Sequence, residues 1–118
     1  MLAGGVEPLP VSVIIPTFNR ADLLPRAVAT ALAAMQPCDE LIVVDDGSSD
    51  GTEAVMASLG HRVRYVQIPH GGAGRARNVG VDEAHCPLVA FLDSDDEWTP
   101  DKLELQRTIM TERSEVLF

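Results

Sequence analysis

The stretch "VAFLDSDDEW" (89–98) runs from apolar residues straight into Asp93, Asp95 and Asp96, with Glu97 behind them. Like charges crowded in this way repel one another and resist burial. In Asp93-Ser94-Asp95 one residue separates two carboxylates, and alternate residues of an extended segment share a face. Two hard oxygen donors aimed at one point suit Mg²⁺ or Mn²⁺, ions that complete their shells with substrate phosphates. The plainer reading is a solvated turn, Ser94 to Glu97, that caps the next helix.

Two further groups carry chemistry. Asp45-Asp46 in "VVDDGSSDG" can accept hydrogen bonds from a base N–H or a ribose hydroxyl, although Asp before Gly is also ordinary turn chemistry. In "HGGAGRARN", Gly71, Gly72 and Gly74 let backbone approach a ligand, and the helix that follows offers free N–H groups to an anion. Arg75 and Arg77 in its first turns oppose the helix dipole, so an anionic partner would relieve them. The alternative is a flexible loop with two solvated arginines. Gly72-Ala73-Gly74 also opens a dinucleotide fingerprint, but Arg77 stands where that pattern needs Gly or Ala. His61, His70 and His85 share no metal-ligand spacing and read as loop or helix-end residues. Trp98 reads as a packing residue or a wall on the sugar side.

The elements that must position these groups alternate. "VSVII" (11–15), "ELIVVD" (40–45), "VRYVQI" (63–68) and "PLVAFLD" (87–93) are apolar, β-branched runs of the kind buried on both faces of a parallel sheet. Pro16 is expected to stop the first. Between them lie helical patterns: "RADLLPRAVATALAAM" with Pro25 near its first turn, "TEAVMASLG" capped by Ser49 or Asp50 and ended by Gly60, and "RARNVGVDEA". "TPDKLELQRTIMTE" follows, with Thr99 at the N-cap and Pro100 in the first helical position. "EVLF" (115–118) reads as the opening of a fifth strand. The pattern predicts an α/β fold with a mostly parallel, doubly wound sheet. The ends "PTFN", "DDGSSD", "PHGGAG" and "DSDD" then share the carboxyl edge, where open sheets bind ligands.

The 118 residues suffice for one core, and 46% hydrophobic with 23% charged residues is a globular composition. The net charge of -9 argues against a nucleic-acid partner. Cys38 and Cys86 lack zinc-site spacing and give no disulfide framework. No run of about 18 apolar residues spans a membrane, and "MLAGGVEPLP" (1–10) lacks the regions of a signal peptide and reads as a loose tail. The expected location is the cytoplasm, with the inner face of the membrane as an alternative.

In order, "VSVIIPTFNR", "ELIVVDDGSSDGT", "GGAGRARNVGV" and "VAFLDSDDEWTPDKLE" resemble the family 2 glycosyltransferases, from about Val11 to the last residue. The resemblance implies the nucleotide-binding half of a GT-A fold over 11–118, cut short at its C-terminus. It implies transfer of a sugar from a nucleotide-diphosphate donor to an acceptor (saccharide, lipid-linked or protein), usually with inversion. Pro16, Thr17 and Phe18 would form the wall beside base and ribose, and Asp46 would accept from the base with Asp45 nearby. Gly72 to Arg77 would close over the nucleotide, with Ser94 against the ribose. Asp93 and Asp95 would be the acids of a DXD motif holding Mn²⁺ or Mg²⁺, Asp95 the more direct ligand. The general base is expected beyond residue 118, so the isolated chain is expected to be inactive, and its open strand edge to favour a homo-oligomer.

Other classes fit less well. A response-regulator receiver domain also binds Mg²⁺ at an acidic pair, but that pair follows its first strand, whereas a full strand and helix precede Asp45 here, and its lysine after the last strand has no counterpart. A dinucleotide oxidoreductase with Asp93 as ribose acid fails at Arg77. A non-catalytic nucleotide-binding module remains a separate alternative.

Overall fold

Seven consecutive buried residues, VSVIIPT, form the central strand β1 (Val11–Thr17). The computed structural model describes residues 9–116, with the side chains of 113–116 excepted. Along the chain β1 is followed by α1 (Leu24–Ala34), β2 (Glu40–Asp45), α2 (Thr52–Ala57), β3 (Val63–Gln67), α3 (Ala73–Glu83), β4 (Leu88–Phe91) and α4 (Lys102–Val116). The four strands are parallel and lie in the order β3-β2-β1-β4. The chain therefore builds outward from β1 to β3, then returns to the other side of β1. That reversal opens a crevice beyond the carboxyl ends of β1 and β4, the kind of switch point at which open sheets bind ligands.

Alternation along β1 divides the core. Val11, Val13 and Ile15 join Leu41 and Val43 on one face, where Leu24, Ala27, Val28 and Ala31 of α1, Met56 of α2 and Leu103 of α4 cover them. Ile14, Ile42 and Val44 face the other way, against Ala76 and Val79 of α3. This second layer is thin because one helix covers it, and that helix packs very close. A Cβ built on Gly80 would lie 2.5 Å from Ile14 Cγ2, so only glycine lets α3 sit there.

Several local expectations shift. Pro16 does not stop β1, which continues to Thr17 in register with Val44 and Asp45 of β2. Thr17 O accepts from Asp46 N on the β2 side, while Ile14 O accepts from Leu92 N on the β4 side. Pro16 shares the parity of Ile14, so its missing N–H faces the side on which β4 has already ended, and no ladder bond is lost. Helix α3 begins at Ala73, two residues before the expected start. Helix α4 begins at Lys102, so Thr99 and Pro100 precede it, and Thr99 Oγ1 instead donates to Asp101 Oδ1 at 3.0 Å. The fifth strand is overturned where it can be described: Glu115 and Val116 belong to α4, and Leu117 and Phe118 lie outside the described residues.

One buried ion pair ties α4 to the amino end of the sheet. Arg107 and Asp39 have side chains 1% and 0% exposed. Arg107 Nη1 donates to Asp39 Oδ1 at 2.7 Å and to Leu9 O at 2.8 Å, and Nη2 donates to Asp39 Oδ2 at 2.5 Å. Asp39 also accepts from the backbone N–H groups of Val11 and Gln36. Each charge is thus fully hydrogen-bonded, the condition under which a buried pair is tolerable. Among the described residues, no helix is long and apolar enough to cross a membrane.

Candidate functional site

At the switch point the loops after β1, β2 and β4 and the start of α3 enclose an open cleft of about 370 Å³, within the range of small-molecule sites. Pro16, Thr17 and Phe18 line it from the end of β1, and Asp46 from the end of β2. Gly72 and Arg77 line it from α3 and its N-cap, and Asp93, Ser94 and Asp95 from the segment after β4. Of the residues singled out in the sequence as nucleotide or metal contacts, only Asp45 is absent from the lining.

Each group is held by its own local structure. Asp46 is 3% exposed, and its two carboxylate oxygens accept from Gly71 N at 2.8 Å and Gly72 N at 2.9 Å. It therefore fixes the glycine loop that leads into α3. Among the described residues the N-terminus of α3 has no side-chain cap, so its first-turn N–H groups remain open to an anion. Asp45 is 1% exposed and turned away from the cleft. Its Oδ1 accepts from Ser48 N at 2.8 Å and its Oδ2 from the Tyr65 hydroxyl. Burial and then the Asp45 carboxylate hold the Tyr65 phenol well above its usual range.

The acidic segment alternates as its spacing suggests: Asp93 and Asp95 are exposed and Ser94 between them is buried. Trp98, 8% exposed, anchors the segment in the larger core layer, and Trp98 N donates to Thr30 Oγ1 of α1 at 3.1 Å. It is a packing residue. Each acid faces an arginine at long range, Arg77 Nη2 to Asp93 Oδ1 and Arg20 Nη2 to Asp95 Oδ2, both 3.9 Å. Arg75 turns away, donating to Pro69 O at 3.1 Å.

Among the described residues, no group of three or more His, Cys, Asp or Glu side chains is arranged to hold a metal by itself. The donor set that fits is therefore a shared one: two exposed carboxylates, with the remaining oxygens coming from a ligand and water. The wall also holds an orphan. Thr17 is 3% exposed, and its buried hydroxyl has no hydrogen-bond partner among the described residues.

Sequence reasoning missed two cleft residues, Arg20 and His70. His70 stacks on Phe18 with ring centroids 4.3 Å apart and planes 29° from parallel. Its Nδ1 lies 3.0 Å from Asp46 Oδ2 and 3.1 Å from Asp46 O. Metal-ligand spacing was the wrong signal for it. The better one was its position between an apolar strand and the glycine loop.

The sequence model described as "Glycosyl transferase family 2" matches residues 12–117. A Bacillus subtilis glycosyltransferase named for teichuronic acid biosynthesis, TuaG, is 42% identical over 108 residues, covering 88% of this chain and 43% of the relative. The crystal structure of S. aureus TarS 1-349 in complex with UDP-GlcNAc superposes with a TM-score of 0.76 at 29% identity, over 86% of this chain and 31% of that one. The mannosyltransferase PcManGT from Pyrobaculum calidifontis, in complex with GDP-Man and Mn²⁺, gives a TM-score of 0.71 at 26% identity, over 82% of this chain and 31% of that one. The chain spans less than half the length of these relatives, and its sheet and helices are those of the GT-A fold.

Proposed function

Because this chain belongs to the family 2 glycosyltransferases, we propose that it forms the donor-binding part of an enzyme that moves a sugar from a nucleoside diphosphate to an acceptor, with inversion at the anomeric carbon. The observation that carries the reading is the cleft, in which Phe18, Asp46, Arg77, Asp93 and Asp95 converge at the one switch point of the sheet. The complexes of similar folds with UDP-GlcNAc and GDP-Man support the donor class. In this reading the part runs over 11–118; of the tail expected before it, residues 1–8 lie outside the described residues, whereas Leu9 packs against the core and its carbonyl accepts from Arg107 Nη1 at 2.8 Å.

In this reading Phe18 and Pro16 flank the base, Thr17 and Ser94 face the ribose, and the α3 N-terminus with Arg77 faces the diphosphate. Asp93 and Asp95 would hold Mn²⁺ or Mg²⁺, Asp95 more directly, and the Mn²⁺ in the complex of a similar fold supports a divalent ion as the cofactor. Such an ion supplies charge neutralisation to the departing nucleoside diphosphate. Arg77 and Arg20, already within 3.9 Å of the two acids, turn to phosphate oxygens as donor binds. An inverting transfer also needs a base for the acceptor hydroxyl. We assign it to the part of the relatives' length that this chain does not span.

Calorimetry with nucleoside diphosphates, with Mn²⁺ and with EDTA, tests the proposal. Binding that requires the metal is expected. Equal binding in EDTA would remove Asp93 and Asp95 as metal ligands, and no binding under either condition would sink the donor-site reading.

A further inference from the structure

Two thiols far apart in the sequence meet at the amino edge of the sheet, at the opposite end of the strands from the cleft. Cys38 lies in the turn before β2 and Cys86 in the connection before β4, the two strands that flank β1. Cys38 is exposed and Cys86 half-buried. Cys86 Sγ sits 4.0 Å from the Cys38 carbonyl oxygen, across 48 residues of chain. That oxygen is about 2.4 Å from its own Cα, which puts the Cys86 sulfur within reach of a Cys38 side chain that rotates about χ1. The backbones on both sides are fixed by side chains beneath them. Ser12 Oγ of β1 donates to Glu40 Oε2 at 2.5 Å and accepts from Cys86 N at 3.1 Å. Glu40 also accepts from His85 N, and its Oε1 lies 3.1 Å from His85 Nδ1. Asp39, next to Cys38, is locked to Val11 N and Arg107. The Cys38 sulfur is held far less, by a weak contact of 3.8 Å with Asp39 Oδ1.

We propose that Cys38 and Cys86 are a redox modification site, closing a reversible disulfide that staples the connection before β2 to the connection before β4. The oxidant is a small disulfide of the glutathione class. One cysteine, deprotonated, attacks a sulfur of that reagent, breaks its S–S bond and forms a mixed disulfide while a first small thiolate leaves. The second cysteine gives its proton to solvent, attacks the protein sulfur of the mixed disulfide and displaces the other small thiolate. The protein loses two hydrogens and two electrons, and the reagent is reduced to two thiols. The bond closes a loop that holds β2, α2, β3 and α3, which restricts the unfolded chain. It also pins the end of α3, the helix that covers the thinner core layer. Where glutathione keeps thiols reduced, such a bond is transient and follows the oxidation state of the surroundings. Neither cysteine lines the cleft, so the proposal stands apart from the donor reading.

The test is equilibration of the chain in buffers of reduced and oxidised glutathione, followed by acid quench, alkylation and mass spectrometry. A monomer that has lost two hydrogens, with Cys38 and Cys86 joined in one pair of peptides, is expected, and dithiothreitol should reverse it. The oxidised chain should melt roughly 5–10 °C higher than the reduced one. Cys38→Ser and Cys86→Ser should each take up one glutathione and show no such rise. A second measurement needs no variant: the same equilibration of the wild type in urea. A bond that suits the fold forms more readily in it, by the factor by which it stabilises the fold, and at least about a tenfold larger equilibrium constant is expected in the folded chain than in the unfolded one. An equal or smaller constant in the folded chain overturns the proposal. So does a folded chain that carries two glutathiones, or joins to a second copy, in place of the internal bond.

Discussion

Asp45 and Asp46 are adjacent, chemically identical and both buried, yet one serves the fold and the other the cleft. The residue pattern did not separate the two, because a strand end fixes alternation but not which face holds the ligand; only the family resemblance placed Asp46 at the base with Asp45 nearby. The deciding partners, Tyr65 for Asp45 and the Gly71 and Gly72 amides for Asp46, come from segments about 20 and 25 residues away. We expect Asp46→Ala to weaken nucleoside diphosphate binding by about 1–3 kcal/mol, the range for hydrogen bonds to a charged group, while Mn²⁺ dependence persists. Faster amide exchange at Gly71 and Gly72 should accompany the loss, and unchanged affinity would assign Asp46 to the fold alone. The acids after β4 make a sharper contrast. Asp95 lines the cleft, whereas Asp96 does not and its Oδ1 accepts from Glu97 N at 2.8 Å. Asp95→Ala should abolish the Mn²⁺ dependence of binding measured by calorimetry, and Asp96→Ala should leave most of it. Equal effects would mean that net charge, rather than ligation, draws the cation.

The elements were more legible than their ends. Strand and helix order followed from periodicity because buried parallel strands are continuous apolar runs. The ends depended on contacts that a local pattern does not carry. Helix α4 runs on through Glu115 and Val116, where the apolar "EVLF" suggested a strand. The clamp that fixes α4 joins residues 68 apart and was invisible as a motif. Burial pushes the Asp39 carboxyl upward, but hydrogen bonds from Arg107, Gln36 N–H and Val11 N–H, with the Arg107 charge, outweigh it and leave the pKa below its ordinary value of 3.8. A carboxyl lowered by folding contributes stability above its unfolded pKa and loses it as pH falls through the folded one. Urea midpoints should therefore hold steady above about pH 5 and decline as pH drops below 3.8. At neutral pH Asp39→Ala should cost roughly 3–5 kcal/mol, because it leaves Arg107 buried without its counter-charge. Asp39→Ala with Arg107→Leu should recover part of that cost. A double variant no more stable than the single would show that the backbone bonds of Asp39, rather than the pair, hold the amino end together.

At the scale of the molecule, the sequence implied a doubly wound sheet but not its strand order. That order decides both the cleft and the exposed edge. With β3-β2-β1-β4, strand β4 pairs among the described residues on one side only, with β1. The α3 layer covers β1 and β2 and thins toward β4, leaving Phe91 44% exposed, and Ile109 on neighbouring α4 is 52% exposed. An open edge beside apolar side chains invites pairing with another chain. The net charge of -9 opposes such contact, and salt screens that repulsion. We expect the chain to self-associate through β4 and the adjoining face of α4, more strongly as ionic strength rises, in place of the C-terminal strand edge expected from the sequence. Light scattering across a salt series reads the mass directly. Phe91→Lys places a charge on the exposed face without entering the cleft, and should restore a monomer while leaving nucleotide affinity unchanged. A clean monomer at high concentration and high salt would show that charge and the twist of a four-residue edge already suffice to keep β4 unpaired.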